Sequence, residues 1–312
     1  MTDRIMHSDF LRVMLGEDTV LGISGLGPKA YAKHDLTYKK VSDQRSTDQK
    51  LIEIVAMKGL PVGSVKGEGE LLSNNKMSQH YVTRAYVQVF QSNYIATYEA
   101  LGYLSKAATT KALIKGTAER AESLAIKKDL GFGVLLNNYD TAAITYGDGK
   151  VIGATDHPNG DGSTYSNIAA AAASINEASI IAADRVVAQY VDGGGKAIRP
   201  NITKLVSGTH LKYDAERLLR TEYALGGDDN DVNLVKSMRM IPGGAVQSPH
   251  IANDGSWFLL TDVKDGLITG NWKSPEFGDA PLPRSFDIQF WARESYVHTL
   301  HDPKCIYVFP RI

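Results

Sequence analysis

The chain has 312 residues, of which 43% are hydrophobic and 22% are charged, and no apolar run reaches the ~20 residues that a membrane span needs. This length predicts about two folded domains, and the one cysteine, Cys305, excludes a disulfide within the chain. The formal net charge of −1 excludes a protein that gathers nucleic acid with a basic arm or face.

The first ninety residues predict an arm followed by a long hairpin. Residues 1–40 contain one short apolar cluster and a glycine-rich break. Residues 50–57 and 80–90 have strand-like patterns, and residues 59–79 between them are polar and glycine-rich. An isolated two-stranded hairpin is marginally stable in water, so this one needs another surface. No neighbouring segment supplies one, which favours a contact with another subunit.

A long helix is predicted over residues 94–129, where Tyr94, Tyr98 and Leu101 follow helical spacing. The glycines of residues 131–133 and the asparagines at 137–138 are expected to end it.

The second half of the chain mixes short helices and strands. Ser174 and Glu177 have the spacing of a capping box, and Gly193 to Gly195 are expected to end the helix that follows. A short helix is predicted at 215–220, and strands at 202–207, 257–261, 267–272, 285–300 and 305–309. Because no regular βαβ alternation occurs, the predicted class is α+β.

The loop from Ala154 to Asn167 is the main candidate for chemistry. Asp156 and His157 are of metal-ligating types and could also serve a small hydrolase using residues 155–167. The alternative is turn chemistry, in which Pro158 fixes the backbone and several glycines and asparagines follow. We favour the turn, since no nucleophile–base pair can be named. No catalytic, cofactor-binding or metal-binding residue is therefore assigned.

Two further candidates have structural interpretations. Cys305 precedes apolar residues, which favours a buried structural thiol over a nucleophile. The acidic run 228–231 lacks the glycine and glutamate spacing of an EF-hand and favours a solvated loop.

The chain resembles the major capsid proteins of tailed double-stranded DNA bacteriophages, in particular the Mu-like head subunits, which have the Hong Kong 97-type fold. The residues that carry the resemblance occur in the family's order. They are 154–158, 162–167, 175–178, 215–219, 257–262, 275–277, 286–287, 293–294 and 302–303.

The resemblance implies five segments. They are an N-terminal arm (1–40), an extended two-stranded loop (41–93), a peripheral domain with a spine helix (94–149), an axial domain (150–273) and returning peripheral strands (274–312). In this fold the extended loop lies across the adjacent subunit. Its tip implies five candidate assembly residues: Lys58, Lys66, Glu68, Glu70 and Lys76. Asp156, His157 and Pro158 would hold the junction that leads into the axial domain.

The function implied is structural and not enzymatic, with no cofactor. Copies would form pentamers and hexamers of an icosahedral shell around double-stranded DNA, with portal, scaffolding and decoration proteins as further partners. The resemblance also implies assembly in the host cytoplasm, a final location in the virion and no membrane partner. An encapsulin-like compartment that holds cargo protein is the alternative within the same fold.

Overall fold

The computed structural model describes residues 27–61, 63, 65–66, 68, 75–97, 99, 106–223, 231–282 and 287–311. The chain divides into two compact units, each assembled from segments that are distant in sequence. The first unit contains residues 1–36, 87–130 and 271–297. The second contains residues 37–86, 131–270 and 298–312. Among the described helices, none combines the length and the apolar character needed to cross a bilayer.

The elements, in chain order, are numbered as follows. They are α1 (Thr37–Val41), β1 (Asp43–Ser46), β2 (Leu51–Met57), β3 (Gln79–Tyr86), β4 (Gln88–Ala96), α2 (Lys106–Asn137), β5 (His157–Pro158), β6 (Thr164–Tyr165), α3 (Glu177–Val187), β7 (Ile202–Gly208), α4 (Lys212–Arg220), α5 (Leu234–Ser237), β8 (Ala245–Ser248), β9 (Trp257–Thr261), β10 (Leu267–Pro281), β11 (Ile288–Leu300) and β12 (Ile306–Phe309). This mixture of helices and strands confirms the predicted α+β class.

The first unit contains a sheet in which β11 lies between β10 and β4. β4 and β11 are antiparallel, with Ala96 opposite Ile288 and Gln88 opposite Tyr296. Ala96, Ile288 and Phe290 pack with Leu113 of α2 in one apolar cluster. Because successive side chains of a strand point to opposite faces, β4 turns one face to this core and leaves the other exposed.

A buried ion pair, Lys128 with Glu294, also lies in the first unit. Asn271 accepts a hydrogen bond from the Lys128 ammonium at 2.7 Å, and the Tyr31 hydroxyl donates to Glu294 at 2.8 Å. Buried charges are tolerated only when they are paired and hydrogen-bonded, and both conditions hold here.

The core of the second unit is built on a four-stranded sheet with the order β12-β9-β7-β8. All five residues of β9 are buried, so the strand is covered on both faces. Trp257 stacks on Phe309 with ring centroids 3.7 Å apart, and its indole N–H donates to the Ala173 carbonyl at 2.7 Å. The strand β12 is part of this core, because it pairs with β9. The sequence resemblance instead grouped residues 274–312, which include β12, with the peripheral domain.

The predicted hairpin is present as antiparallel β2 and β3, with Leu51 opposite Tyr86 and Glu53 opposite Arg84. The long helix differs from its prediction at both ends. Residues 88–96, which include Tyr94, form a strand because they pair with β11. The helix α2 continues through Gly131 and Gly133 to Asn137. At Gly133 a Cβ atom would lie 2.6 Å from the Cβ of His250, so glycine permits a close approach there.

The helix α3 also differs from its prediction. Its N-cap is Asn176, whose side chain accepts a hydrogen bond from the Ser179 N–H at 2.8 Å, and not Ser174. The helix ends at Val187 with Ala188 as its C-cap, before the glycines of residues 193–195. Asparagine caps a helix as well as serine does, and the capping-box interpretation placed the N-cap two residues too early.

Candidate functional site

His157 is the central residue of the 154–167 loop and is completely buried. Its Nδ1 lies 2.6 Å from an Asp148 carboxylate oxygen. Its Nε2 lies 3.1 Å from Asn167 Oδ1 and 3.3 Å from the Ile152 carbonyl oxygen. Both ring nitrogens therefore have oxygen partners within hydrogen-bonding distance. The Tyr165 ring stacks on this imidazole at 5.3 Å.

Asn167 connects the loop to the end of the chain. Its side-chain N–H groups donate to the carbonyls of Ile152 at 2.7 Å and Pro303 at 3.1 Å, and its Oδ1 accepts from the Ala154 N–H at 3.0 Å. Its backbone carbonyl accepts from the N–H of Val308 in β12 at 2.8 Å. The polar residues of this loop thus organise a buried junction.

Asp156 and Pro158, the neighbours of His157, have different environments. Asp156 is exposed and pairs with Lys150, and the hydrogen bond from that ammonium lowers the pKa of the Asp156 carboxyl. Pro158 lies in β5, opposite Thr164 of β6. The reversal of the chain follows at residues 159–162, where the Asn159 N–H donates to the Ser163 carbonyl at 2.8 Å. Asp156, His157 and Pro158 thus precede the turn in which the sequence interpretation placed them.

The hydroxyl groups of the loop are engaged locally. Ser163 Oγ donates to Asp161 at 2.7 Å, and Ser166 Oγ donates to the Ile168 carbonyl at 3.0 Å. His157 contacts neither of them, because its ring nitrogens face Asp148, Ile152 and Asn167. Within the described residues no group of three or more His, Cys, Asp and Glu side chains could hold a metal ion. The geometry therefore gives no support to the hydrolase alternative.

Cys305 is buried, as predicted. Burial raises the pKa of this thiol, and the nearby Asp302 carboxylate acts in the same direction. A thiol held in its neutral form is a poor nucleophile. The acidic run 228–231 lies outside the described residues except for Asp231, which is exposed.

The base of the hairpin is held by its own chain. Tyr81 donates its hydroxyl to the His301 carbonyl at 2.9 Å, and Thr83 Oγ1 lies 2.8 Å from His301 Nδ1. His80 Nε2 lies 3.2 Å from the Pro158 carbonyl. Burial raises the pKa of the Tyr81 phenol and lowers the pKa of the His301 imidazole. The inference that no surface within the chain supports the hairpin was therefore wrong for its base.

The candidate assembly residues lie in two environments. Lys58 is half-buried beside Gly160 and Gly193, at the point where the hairpin leaves the second unit's core. Three of the others, Lys66, Glu68 and Lys76, are exposed, and Glu70 lies outside the described residues. Apolar side chains near the tip are exposed as well, with Val65 96% and Met77 59% accessible.

Sequence reasoning missed Lys304, which is 8% exposed and lines a cavity of about 440 Å³ below the hairpin. Its ammonium lies 4.8 Å from the centroid of the Tyr165 ring, and burial lowers its pKa. Its environment depends on residues more than a hundred positions away, and lysine is rarely buried, so no local pattern indicates it.

No family model and no curated protein matches the chain. Solved structures do. A virus-like particle protein from Pyrococcus furiosus is similar over 92% of this chain and 98% of its own, with a TM-score of 0.56 and 9% identity. The mature capsid of bacteriophage PhiM1 is similar over 88% of this chain and 86% of its own, with a TM-score of 0.55 and 14% identity.

The chain has the Hong Kong 97-type capsid fold. The capsid of a native GTA particle gives the same result, with a TM-score of 0.55 and 11% identity over 87% of this chain and 88% of that one. At these identities the likeness concerns the fold. It confirms the fold expected from the resemblance.

Proposed function

We propose that the chain is a major capsid protein whose copies assemble into a closed icosahedral shell. The observation that carries the proposal is the likeness to shell-forming proteins along almost the whole of both chains, up to 98% of the virus-like particle protein. The function of such a shell depends on the contacts between its subunits, and a stable protein–protein contact buries about 1,600 Å² of surface. The buried junction around His157 fits a structural role for the 154–167 loop.

The finer proposal is the head protein of a tailed double-stranded DNA bacteriophage of the Mu-like group. The ordered segments from Ala154 to Pro303 support it, since they follow that family's order. The net charge of −1 fits a shell into which DNA is pumped, because strong electrostatic attraction between the shell and the DNA would oppose the movement of the DNA. Pentamers and hexamers of this chain would form the shell, with portal, scaffolding and decoration proteins as partners, and assembly would take place in the host cytoplasm.

The proposed architecture retains the segments that the resemblance implies. Residues 1–40 would be the arm, 41–93 the extended loop, 94–149 and 274–312 the peripheral domain, and 150–273 the axial domain, to whose strand β9 the strand β12 pairs. The extended-loop tip would contact the neighbouring subunit through Lys66, Glu68, Glu70 and Lys76, with Lys58 at the start of the tip, half-buried in its own chain. Exposed charged and apolar side chains around this tip support an intermolecular role.

Expression of the chain, followed by cryo-electron microscopy of the purified material, tests the proposal. Closed shells with five-fold and six-fold clusters are expected, and a protein that remains monomeric at every concentration, with and without its scaffolding partner, would refute it. A second candidate is a nanocompartment that holds cargo protein, favoured by the likeness to the virus-like particle protein. Nuclease-protected genomic DNA in particles from the native source supports the phage head, whereas co-purifying protein cargo without DNA supports the compartment.

A further inference from the structure

The strand β4 leaves an open edge in the sheet of the first unit. Among the described strands its one partner is β11, so its other side faces away from the sheet. The sequence of β4, QVFQSNYIA, contains no charged residue and no proline. Natural proteins protect exposed edges with charges, prolines or bulges, because an edge offers unpaired N–H and C=O groups to another chain. A nine-residue edge without these features is therefore suited to pairing.

The residues of β4 are complementary to themselves when the strand is reversed about Ser92. In an antiparallel pair of two copies, Val89 lies opposite Ile95, and Gln91 lies opposite Asn93. Phe90 lies opposite Tyr94, and Ser92 meets its own copy. These central pairs join side chains of the same chemistry, while Gln88 lies opposite Ala96 at the two ends. Directly opposite pairs are the contacts that stabilise a sheet.

Exposure of the apolar members agrees with this register. Val89 is 55% exposed and Ile95 is 49% exposed, and both lie on the face of β4 that points away from the core. On the other face, Phe90 stacks on Tyr296 with ring centroids 4.4 Å apart, and Tyr94 contacts Phe290 at 6.2 Å. The strand is therefore held in place before it meets a partner, which lowers the entropic cost of pairing.

We propose that two copies of the chain pair edge to edge through β4, antiparallel about Ser92, in an isologous contact. The two-fold axis is perpendicular to the sheet, so both copies keep α2 on the same side and the sheet continues across the contact. The inference rests on the proposed shell, because nine residue pairs form a small contact that neighbouring contacts must reinforce.

Cysteine cross-linking in assembled particles tests the register. Opposite Cα atoms in an antiparallel pair are about 4.5–5.5 Å apart, within the range that a disulfide spans. The double variant Val89→Cys/Ile95→Cys is expected to give a dimer on non-reducing denaturing gels after mild oxidation. Within one strand these positions are about 20 Å apart, which excludes an internal bond. The native Cys305 is buried and contributes little background.

The two single variants, Val89→Cys and Ile95→Cys, are matched controls. Each is expected to remain monomeric on the same gel, because a cysteine at 89 meets position 95 of the other copy and not position 89. Equal cross-linking in the singles and the double, or no cross-link in the double, overturns the proposal. Cross-linking of the double variant to a different protein would also overturn it, since it would assign the edge another occupant.

A charge exchange provides a second test. Gln91→Lys/Asn93→Lys places like charges opposite each other, and a loss of assembled shells is expected. Gln91→Glu/Asn93→Lys places opposite charges together, and shells are expected to return. Loss in both variants, or in neither, contradicts the pairing. Wild-type shells that form without β4 pairing would refute this inference alone, whereas failure of the wild type to form shells would refute the proposed function.

Discussion

The substitution His157→Ala is expected to destabilise the subunit strongly, although residue 157 lies in a loop whose sequence is mostly polar. It removes an imidazole that is completely buried and hydrogen-bonded to Asp148, Ile152 and Asn167. The Asp148 side chain is 2% exposed and would lose its charged-group partner, keeping the hydrogen bond from the Lys150 N–H at 3.1 Å. Breaking a buried pair in this way costs about 3–5 kcal/mol in the free energy of unfolding.

The assay is denaturant unfolding of the unassembled subunit, followed by tryptophan fluorescence and circular dichroism. Asp156→Ala is the matched control, because this neighbouring carboxylate is exposed and pairs with Lys150 at the surface. That variant is expected to unfold at nearly the same denaturant concentration as the wild type. Equal destabilisation by the two substitutions, or a loss below about 1 kcal/mol for His157→Ala, would refute a structural role for the buried imidazole.

Three further predictions concern the hairpin and its base. Burial lowers the pKa of His301 in the folded state, so the unfolded chain binds this proton at a higher pH than the folded one. The free energy of unfolding should therefore fall as the pH drops below about 6.5. The variant His301→Asn should show a smaller fall when denaturant unfolding is repeated over a series of pH values. A Cβ atom at Gly194 would overlap the Leu60 carbonyl, so Gly194→Ala should speed proteolysis of the hairpin, whereas Gly63→Ala, with no neighbour within 4 Å, should not. Replacing residues 61–76 by a short Gly-Ser link should leave a soluble subunit that forms no shells in electron micrographs, and normal shells would contradict a role for the tip.

The strands of the second unit's core were predictable because their signal is local. Residues 257–261 are all apolar apart from Thr261, and the matching strand has those bounds. Such a run is bounded by turn residues and fits a strand covered on both faces. The strand Ile202–Gly208 was predicted one residue shorter, over residues 202–207.

The error at β4 has a non-local cause. Tyr94 fits a helical spacing with later residues, but in the structure residues 88–96 alternate between the two faces of a strand. Pairing with β11, nearly two hundred positions later, decides between the two. Local periodicity cannot contain that information, since tertiary contacts override propensity.

The candidate site shows the same limit. Asp156, His157 and Pro158 were interpreted together from their composition, yet the structure buries His157 and exposes Asp156. Burial of the imidazole depends on Asp148 and Asn167, which lie nine and ten residues away on opposite sides. The sequence does not show that Asp148 and Asn167 both contact His157, so it does not place this histidine in the interior.

The position of β12 determines when the core of the second unit can fold during synthesis of the chain. Residues 306–309 are all buried and form an edge of the sheet that holds Trp257. A nascent chain therefore lacks part of this core until residue 309 has left the ribosome. Unfinished chains would expose Trp257 and the apolar face of β9, and would be recognised by proteases and chaperones. Because β12 belongs to this core, the sheet of the second unit forms in full only after residue 309 has been translated.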